Sequence, residues 1–495
     1  MGDNSRRSDT ATSSSSTFFA ASAAIVALVI TAAGAINYNA TSSPHSSIFS
    51  YIGKSATNTI NKRMRKRREK KMLTVDYWFN RAQDEDGRII NPELTRKMII
   101  EGGIEGSLRQ DVWPFLLNMR EANDSAVEVQ QQKEERRKKY VALRKRCREL
   151  ELMMKSGKVW KDSLPPRDLG VFTEAAAVIR GDAPRTHFVY GEFAATYEAM
   201  SKSESEDNLN FKKNNNNNNN NKSDDDDDRE VTASMKKISK WELAQIKRCR
   251  KILEAFTLYD HNVGYCQGMN DIAAGFLRDC VDESEAFWCF TNFVSGSFRS
   301  HFIISGHAHS IQNSDGGISE RLLALSTIIS LCDRPLFKHM QLIQSENCMH
   351  LFRAVVVLMS RELEVRDTIY LWDVLMATRD FLPTVQARAM AAAAAVQEER
   401  NNSQFDGDVD IYDDVLTVGG GRLFLHVVCA AFLELRSSVF ACKNYDDLLQ
   451  LSTKLPHMKL DVSRLIAKAK ILLTKTKIAG EAKITQNVVA AQINF

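Results

Sequence analysis

The chain has 495 residues, 44% of them hydrophobic and 26% charged, with a formal net charge of +4. That length supports a large core and exceeds one compact domain unless the fold is elongated, and the near-balanced charge excludes a global nucleic-acid footprint. Nine cysteines, at 147, 249, 266, 280, 289, 332, 348, 429 and 442, form no Cys-x-x-Cys pair and are odd in number, which reads as reduced thiols and not as a disulfide framework or a zinc site.

Residues 1–16 read as a short tail. Thr17 to Ile36, "TFFAASAAIVALVITAAGAI", contains no charge, and at about 1.5 Å per residue it nearly matches the ~30 Å hydrocarbon core of a bilayer. It is expected to be a single transmembrane helix. A cleaved targeting segment is the alternative, with small residues at Ala33 to Ala35. Residues 37–72 form a polar, then basic, linker. Its end, "NKRMRKRREKK" from Asn61 to Lys71, carries eight basic residues and one acidic, so the positive-inside bias predicts a single-pass membrane protein whose C-terminal body faces the cytosol. Next to a span, residues 62–71 are expected to meet anionic lipid, in preference to a nuclear signal, a nucleic-acid patch or a plain solvated face. An acceptor sequence at Asn39 offers a check on that orientation.

From about Val75 the pattern is helical and strand-like alternation is scarce, which predicts an all-α body. Leu94, Met98, Ile99, Ile104, Leu108, Val112 and Leu116 fall near helical spacing, with a break at Gly102 and Gly103. A charged helix follows with one apolar seam, Tyr140, Leu143, Cys147, Leu150 and Met154. Residues 201–234, with an all-Asn and then an all-Asp run, cannot bury enough apolar surface to order themselves and read as a disordered insertion. A weaker loop covers about 397–421. Between them Leu243, Ile246, Ile252, Leu253 and Phe256 share a helical face, and amphipathic patterns recur at 320–332, 348–378 and 422–475.

Sequences that bind metals or nucleotides are scarce. Asp84, Asp86, Gly87, Ile89 and Glu93 imitate a calcium loop, but Ala82 holds the first ligand position and Pro92 precedes the last, so a polar turn is expected. His301, His307 and His309 have no local fourth ligand. No G-x-G-x-x-G, Walker loop, G-x-S-x-G or H-E-x-x-H occurs. No cofactor of the protein's own is expected.

Two stretches remain. In "VIRGDAPRT", Val178 to Thr186, Gly181 ends a helical run, Asp182 suits a turn or cap, and Pro184 stiffens the backbone ahead of Arg185. The arrangement can hold a guanidinium outward; alone it is equally a capped turn with a surface arginine. In "DHNVGYCQGMND", Asp260 to Asp271, Asn262 and Gly264 make a turn, Gly268 allows close backbone approach, and Gln267 stands on the first turn of the next helix. A buried amide bonded to backbone is the plain alternative.

Together these stretches resemble the signature of the TBC domain of Rab GTPase-activating proteins. Ile179, Asp182 and Arg185 match I-x-x-D-x-x-R, and Tyr265, Gln267 and Gly268 match Y-x-Q-G. Arg109 and Trp113 in "GSLRQDVWPFLL", Phe352, Arg353, Arg361 and Glu362 in "LFRAVVVLMSREL", and Trp372 and Asp373 in "IYLWDVL" follow in family order. Ala354, where the family often has Trp, and the large insertion are departures. The resemblance implies a two-lobed helical domain over 73–475, followed by a tail over 476–495. It implies an activator that is not itself a hydrolase, acting on a GTP-bound Rab that brings its own GTP and Mg²⁺. Arg185 and Gln267 would enter that partner's site in trans. Asp182, Tyr265 and Gly268, with their neighbours Ile179 and Thr186, would hold these fingers. Arg109, Trp113, Trp372 and Asp373 would support the fold and groove. A non-catalytic, membrane-anchored Rab-binding adaptor is the alternative, and no nucleic acid is expected.

Overall fold

Helices carry nearly all of the chain that the computed structural model describes, namely residues 65–156, 166–186, 188, 239–302, 317–382, 386 and 420–493. Among these residues the extended pairings are two isolated bridges, Leu73 with Ile104 and Gln83 with Ile89. The expected all-α class is therefore what the described residues adopt. All of them belong to the unit Asn61–Phe495.

Short helices open the unit. Thr74 caps α1 (Val75–Asn80) and Asn91 caps α2 (Pro92–Gly102), each side chain accepting from a first-turn amide, which satisfies donors the helix cannot. α2 ends where expected, with Gly103 at φ 82° as its C-cap. α3 (Arg109–Leu116) follows, and then α4 (Ala126–Lys155), whose start is fixed by a capping box of Ser125 and Glu128. The seam of α4 differs from the reading: Tyr140, Cys147 and Leu150 are buried, but Arg144 replaces Leu143. The reason is a partner from another helix. Arg144 donates to Glu254 at 2.9 Å, and Glu254 is fully buried.

α5 (Arg167–Asp182), α6 (Lys240–Tyr259), α7 (Met269–Asp279) and α8 (Glu283–Ser295) complete the first set. α6 packs against α4, α5, α7 and α8, which explains why its second half is buried almost all round. A second set contains α9 (Ile318–Cys332), α10 (Arg334–Leu342), α13 (Arg422–Phe432) and the long α16 (Val462–Ile493). The run expected over 348–378 is divided into α11 (Phe352–Val356) and α12 (Val365–Ala377), and the run over 422–475 includes the short helices α14 (Arg436–Val439) and α15 (Tyr445–Ser452). α12 packs on α2, α3 and α16.

The expected membrane anchor requires correction. No helix among the described residues is long and apolar enough to cross a membrane. α4, α6 and α16 have the length, at 30, 20 and 32 residues. However, Arg136 to Lys139, Lys247 to Lys251, and Lys468, Lys470 and Lys475 interrupt them with charge, at about 2.5–3.5 kcal/mol for a basic residue at a helix centre in lipid. The transmembrane helix over 17–36 lies outside the described residues, as do the insertion over 201–234 and nearly all of the loop over 397–421. The single-pass, cytosol-facing location falls with the anchor.

Three members of the basic run pair with acidic residues within this unit. Arg65 pairs with Glu364 at 2.9 Å and Asp367 at 3.2 Å, Arg68 pairs with Asp367 at 3.1 Å, and Lys71 pairs with Glu101 at 2.7 Å. The Arg68 guanidinium lies 4.2 Å from the Tyr370 ring centroid. Gly102 makes room for the crossing, since a Cβ there would lie 2.2 Å from the Lys71 carbonyl.

Candidate functional site

α5 passes straight into a 3₁₀ turn, Ala183–Arg185, in which Pro184 occupies an early position where no amide donor is needed. Ile179 and Ala183 are fully buried and fix the turn to the core. Asp182 is 5% exposed, whereas the Arg185 side chain is 65% exposed. The Asp182 carboxylate accepts from the Tyr265 hydroxyl at 3.0 Å and from Arg185 Nη1 at the long distance of 3.5 Å. Burial pushes the Asp182 carboxyl up, while Tyr265, Arg185 and Arg361 pull it back. Burial and the Asp182 charge together push the Tyr265 phenol well up, so it remains a donor.

Gln267 comes from a second turn. Asp260 ends α6; its carbonyl accepts from Val263 and Gly264 amides at 3.1 and 2.8 Å, and Arg299 holds its carboxylate at 2.8 and 2.9 Å. Gly268, at φ 105°, is the N-cap of α7. Gln267 thus stands just ahead of the helix and not on its first turn. A Cβ on Gly268 would meet Val357 Cγ1 at 2.9 Å, so both space and backbone angle require glycine here. Gln267 is half-buried, and its side-chain amide makes no hydrogen bond to another described residue. The plain reading of a satisfied buried amide is not what is found.

Side chains tie the two turns together. Tyr265 reaches Asp182, and buried Asn270 donates through Nδ2 to Thr186 Oγ1 at 2.9 Å while its Oδ1 accepts from Tyr265 at 3.3 Å. Thr186 in turn donates to the Asp182 carbonyl at 3.4 Å. Asn270, Asp271 and Val357 are residues that the sequence reading missed. The first two adjoin Gln267, and their signal was a pair of polar residues opening an otherwise apolar helix. Val357 gave no signal.

Arg109, Trp113, Trp372 and Asp373 form a separate buried cluster. Asp373 is fully buried and accepts from Trp113 Nε1 at 2.8 Å and Arg109 Nε at 3.0 Å, and Arg109 Nη1 reaches Asp279 at 3.2 Å. Burial pushes the Asp373 carboxyl up and Arg109 opposes it. Trp372 stacks on Phe276 at 5.7 Å and donates to the Leu358 carbonyl at 3.0 Å. A Cβ on Gly275 would lie 2.2 Å from the Trp372 ring, so this cluster sets the seat of α7. Among the described residues, no hydrogen bond links it to Asp182, Tyr265 or the Gln267 side chain.

The remaining candidates are occupied structurally. The Asp84 carboxylate accepts from the amides of Asp86 and Arg88 at 3.0 and 2.8 Å. His301 is buried beside Phe298 at 5.3 Å, and burial pushes its pKa well down. His307 and His309 lie outside the described residues.

Residues 177–396 match the family model of the Rab-GTPase-TBC domain. A stretch of 126 residues is 36% identical to Rab GTPase-activating protein 22 of Arabidopsis thaliana, covering 26% of this chain and 21% of that protein. Over 348 residues the chain is 25% identical to the GTPase-activating protein GYP7 of Candida glabrata, covering 70% of this chain and 40% of that one. The chain therefore spans between about a fifth and two fifths of the length of these curated relatives. The crystal structure of the Ypt/Rab-GAP domain of Gyp1p overlaps 83% of this chain and 98% of its own with a TM-score of 0.49 and 16% identity. Both signature turns lie inside the matched span, so residues 177–396 of this chain are similar to the Rab-GTPase-TBC domain.

Proposed function

We propose that this protein accelerates GTP hydrolysis by a Rab-family GTPase and thereby acts in vesicle trafficking, with Arg185 and Gln267 supplied in trans to the partner's GTP and Mg²⁺. The observation that carries this reading is the Tyr265 to Asp182 hydrogen bond of 3.0 Å, which joins two turns 83 residues apart and leaves Arg185 projecting. The names of the relatives support the partner class.

Phosphoryl transfer asks for positioning and charge stabilisation more than covalent help. Arginine suits the task because its planar, permanently charged fork donates several hydrogen bonds to phosphate oxygens. Among the described residues Arg185 is held only by a 3.5 Å contact to Asp182, which it can exchange for phosphate. Asp182 then keeps Tyr265 as a partner, and the turn does not have to reorganise. The Gln267 carboxamide both accepts and donates. Lacking an internal hydrogen bond among described residues, it is available to orient the attacking water. Arginine fingers in other GTPase systems give roughly 10³ to 10⁵ in rate.

The test is single-turnover GTP hydrolysis by a panel of Rab proteins with and without this protein. Acceleration of at least one Rab, abolished by Arg185→Ala and cut strongly by Gln267→Ala, is expected. Tight binding to a GTP-loaded Rab with no acceleration would replace this reading with a binding adaptor.

A further inference from the structure

The connection from α11 to α12 contains neither glycine nor proline, yet Leu358 at φ 49° and Met359 at φ 62° both occupy the left-handed region, and both are fully buried. Such conformations persist only where surrounding contacts fix them. Those contacts are present. The Met359 amide donates to the Ala354 carbonyl at 2.9 Å, Trp372 Nε1 donates to the Leu358 carbonyl at 3.0 Å, and Arg353 Nε donates to buried Glu362 at 2.8 Å.

The strained turn delivers two groups to the base of the Gln267 turn. Val357 lies against the Gly268 backbone, and Arg361 Nε donates to Asp271 Oδ2 at 2.7 Å. The other Asp271 oxygen accepts from Asn270 Nδ2 at 3.4 Å. From Asn270 the contacts continue to Thr186 and Tyr265, then to Asp182, and end on Arg185. A polar chain therefore runs between two guanidiniums. Arg361, at its α7 end, is 39% exposed, while Asp271 is 12% exposed.

We propose that Arg361 is a positioning residue, which fixes the first turn of α7 through Asp271 and so sets the aim of Gln267. This rests on the reading that Gln267 acts on a partner's GTP. The Nε donor is what the role requires. A lysine retains the charge but lacks that donor and the planar geometry. The strained turn exists, on this account, to carry Arg361 to the first turn of α7.

Single-turnover hydrolysis by a responsive Rab, titrated with the protein, separates maximal rate from half-saturating concentration. Arg361→Ala is expected to lower the maximal rate about tenfold, the worth of one charge-assisted hydrogen bond. The half-saturating concentration should stay within about twofold. Arg361→Lys should recover little of the rate. In a Gln267→Ala background, Arg361→Ala should have no further effect, because both changes remove the same function. Thermal unfolding of each variant in parallel checks that the domain is intact. A shift confined to half-saturating concentration, or losses that multiply in the double variant, would overturn the proposal. Sensitivity to Gln267→Ala with none to Arg361→Ala overturns this inference alone. No acceleration by the unaltered protein overturns the underlying reading and this inference with it.

Discussion

Gly268→Ala tests the seat of Gln267 directly. Gly268 has φ 105° and ψ −18°, and an added methyl carbon would meet Val357 Cγ1 at 2.9 Å and Val356 Cγ1 at 3.5 Å. An L-residue in a left-handed conformation costs roughly 1–2 kcal/mol. Overpacking against a side chain that is stiff at χ1 adds about 1–3 kcal/mol. The substitution should therefore lower unfolding free energy by about 2–5 kcal/mol. Denaturant titration measures this, and single-turnover hydrolysis reads the displacement of Gln267 in the fraction that remains folded. Val357→Ala creates space beneath the same atom, so the pair should show a favourable coupling of roughly 1–3 kcal/mol. The backbone term has no such remedy, and hydrolysis should recover less than stability. A Gly268→Ala loss below about 0.5 kcal/mol, with no coupling to Val357, would refute the close-approach argument.

Arg109→Ala should cost about 3–5 kcal/mol of stability because it removes an ion-pair partner from fully buried Asp373, and Arg109→Lys should rescue only a minor part. Denaturant unfolding checks both, and a loss below about 1 kcal/mol would contradict the buried-pair account. Stability should fall in mild acid. His350 is pushed down to about 3 and His426 to about 4 by burial, and His301 well down for the same reason. Each folded value lies below the unfolded value of ~6.5, so this contribution is complete above ~6.5 and is lost as pH falls toward the folded values, at roughly 1.4 kcal/mol per pH unit for each histidine. Asp380 has the opposite sign: burial pushes it up to about 6, so between there and its unfolded value of ~3.9 it offsets one histidine. Unfolding at pH 7, 6 and 5 should show the decline, and His350→Phe should remove one histidine's share of the slope.

The parts of the molecule that the sequence revealed were local ones. The break at Gly103 and the turns holding Arg185 and Gln267 each depend on residues within a few positions of one another. What it concealed depends on partners far away in the chain. Arg144 looked like a solvated charge until Glu254 on α6 supplied its partner, and Leu143 lost its place in the seam. The acidic partners of Arg65 and Arg68, Glu364 and Asp367, sit about 300 positions on. The left-handed pair Leu358 and Met359 was invisible because neither residue favours that conformation by itself. Asn270 was quoted in the Gln267 motif without its function, since only Thr186 from the other turn reveals it. An uncharged run was read as a membrane helix from length and composition; it lies outside the described residues, among which no helix is long and apolar enough to cross a membrane.

The central claim is that Arg185 and Gln267 act together on a partner's terminal phosphate. Binding to a responsive Rab loaded with GDP and aluminium fluoride, which mimics the phosphoryl group in transfer, measures it most directly. Transition-state contacts should make this complex tighter than the one with GDP alone by at least about 10²-fold. Arg185→Ala should erase that gain and Gln267→Ala should reduce it sharply. An undiminished gain in both variants would contradict the account.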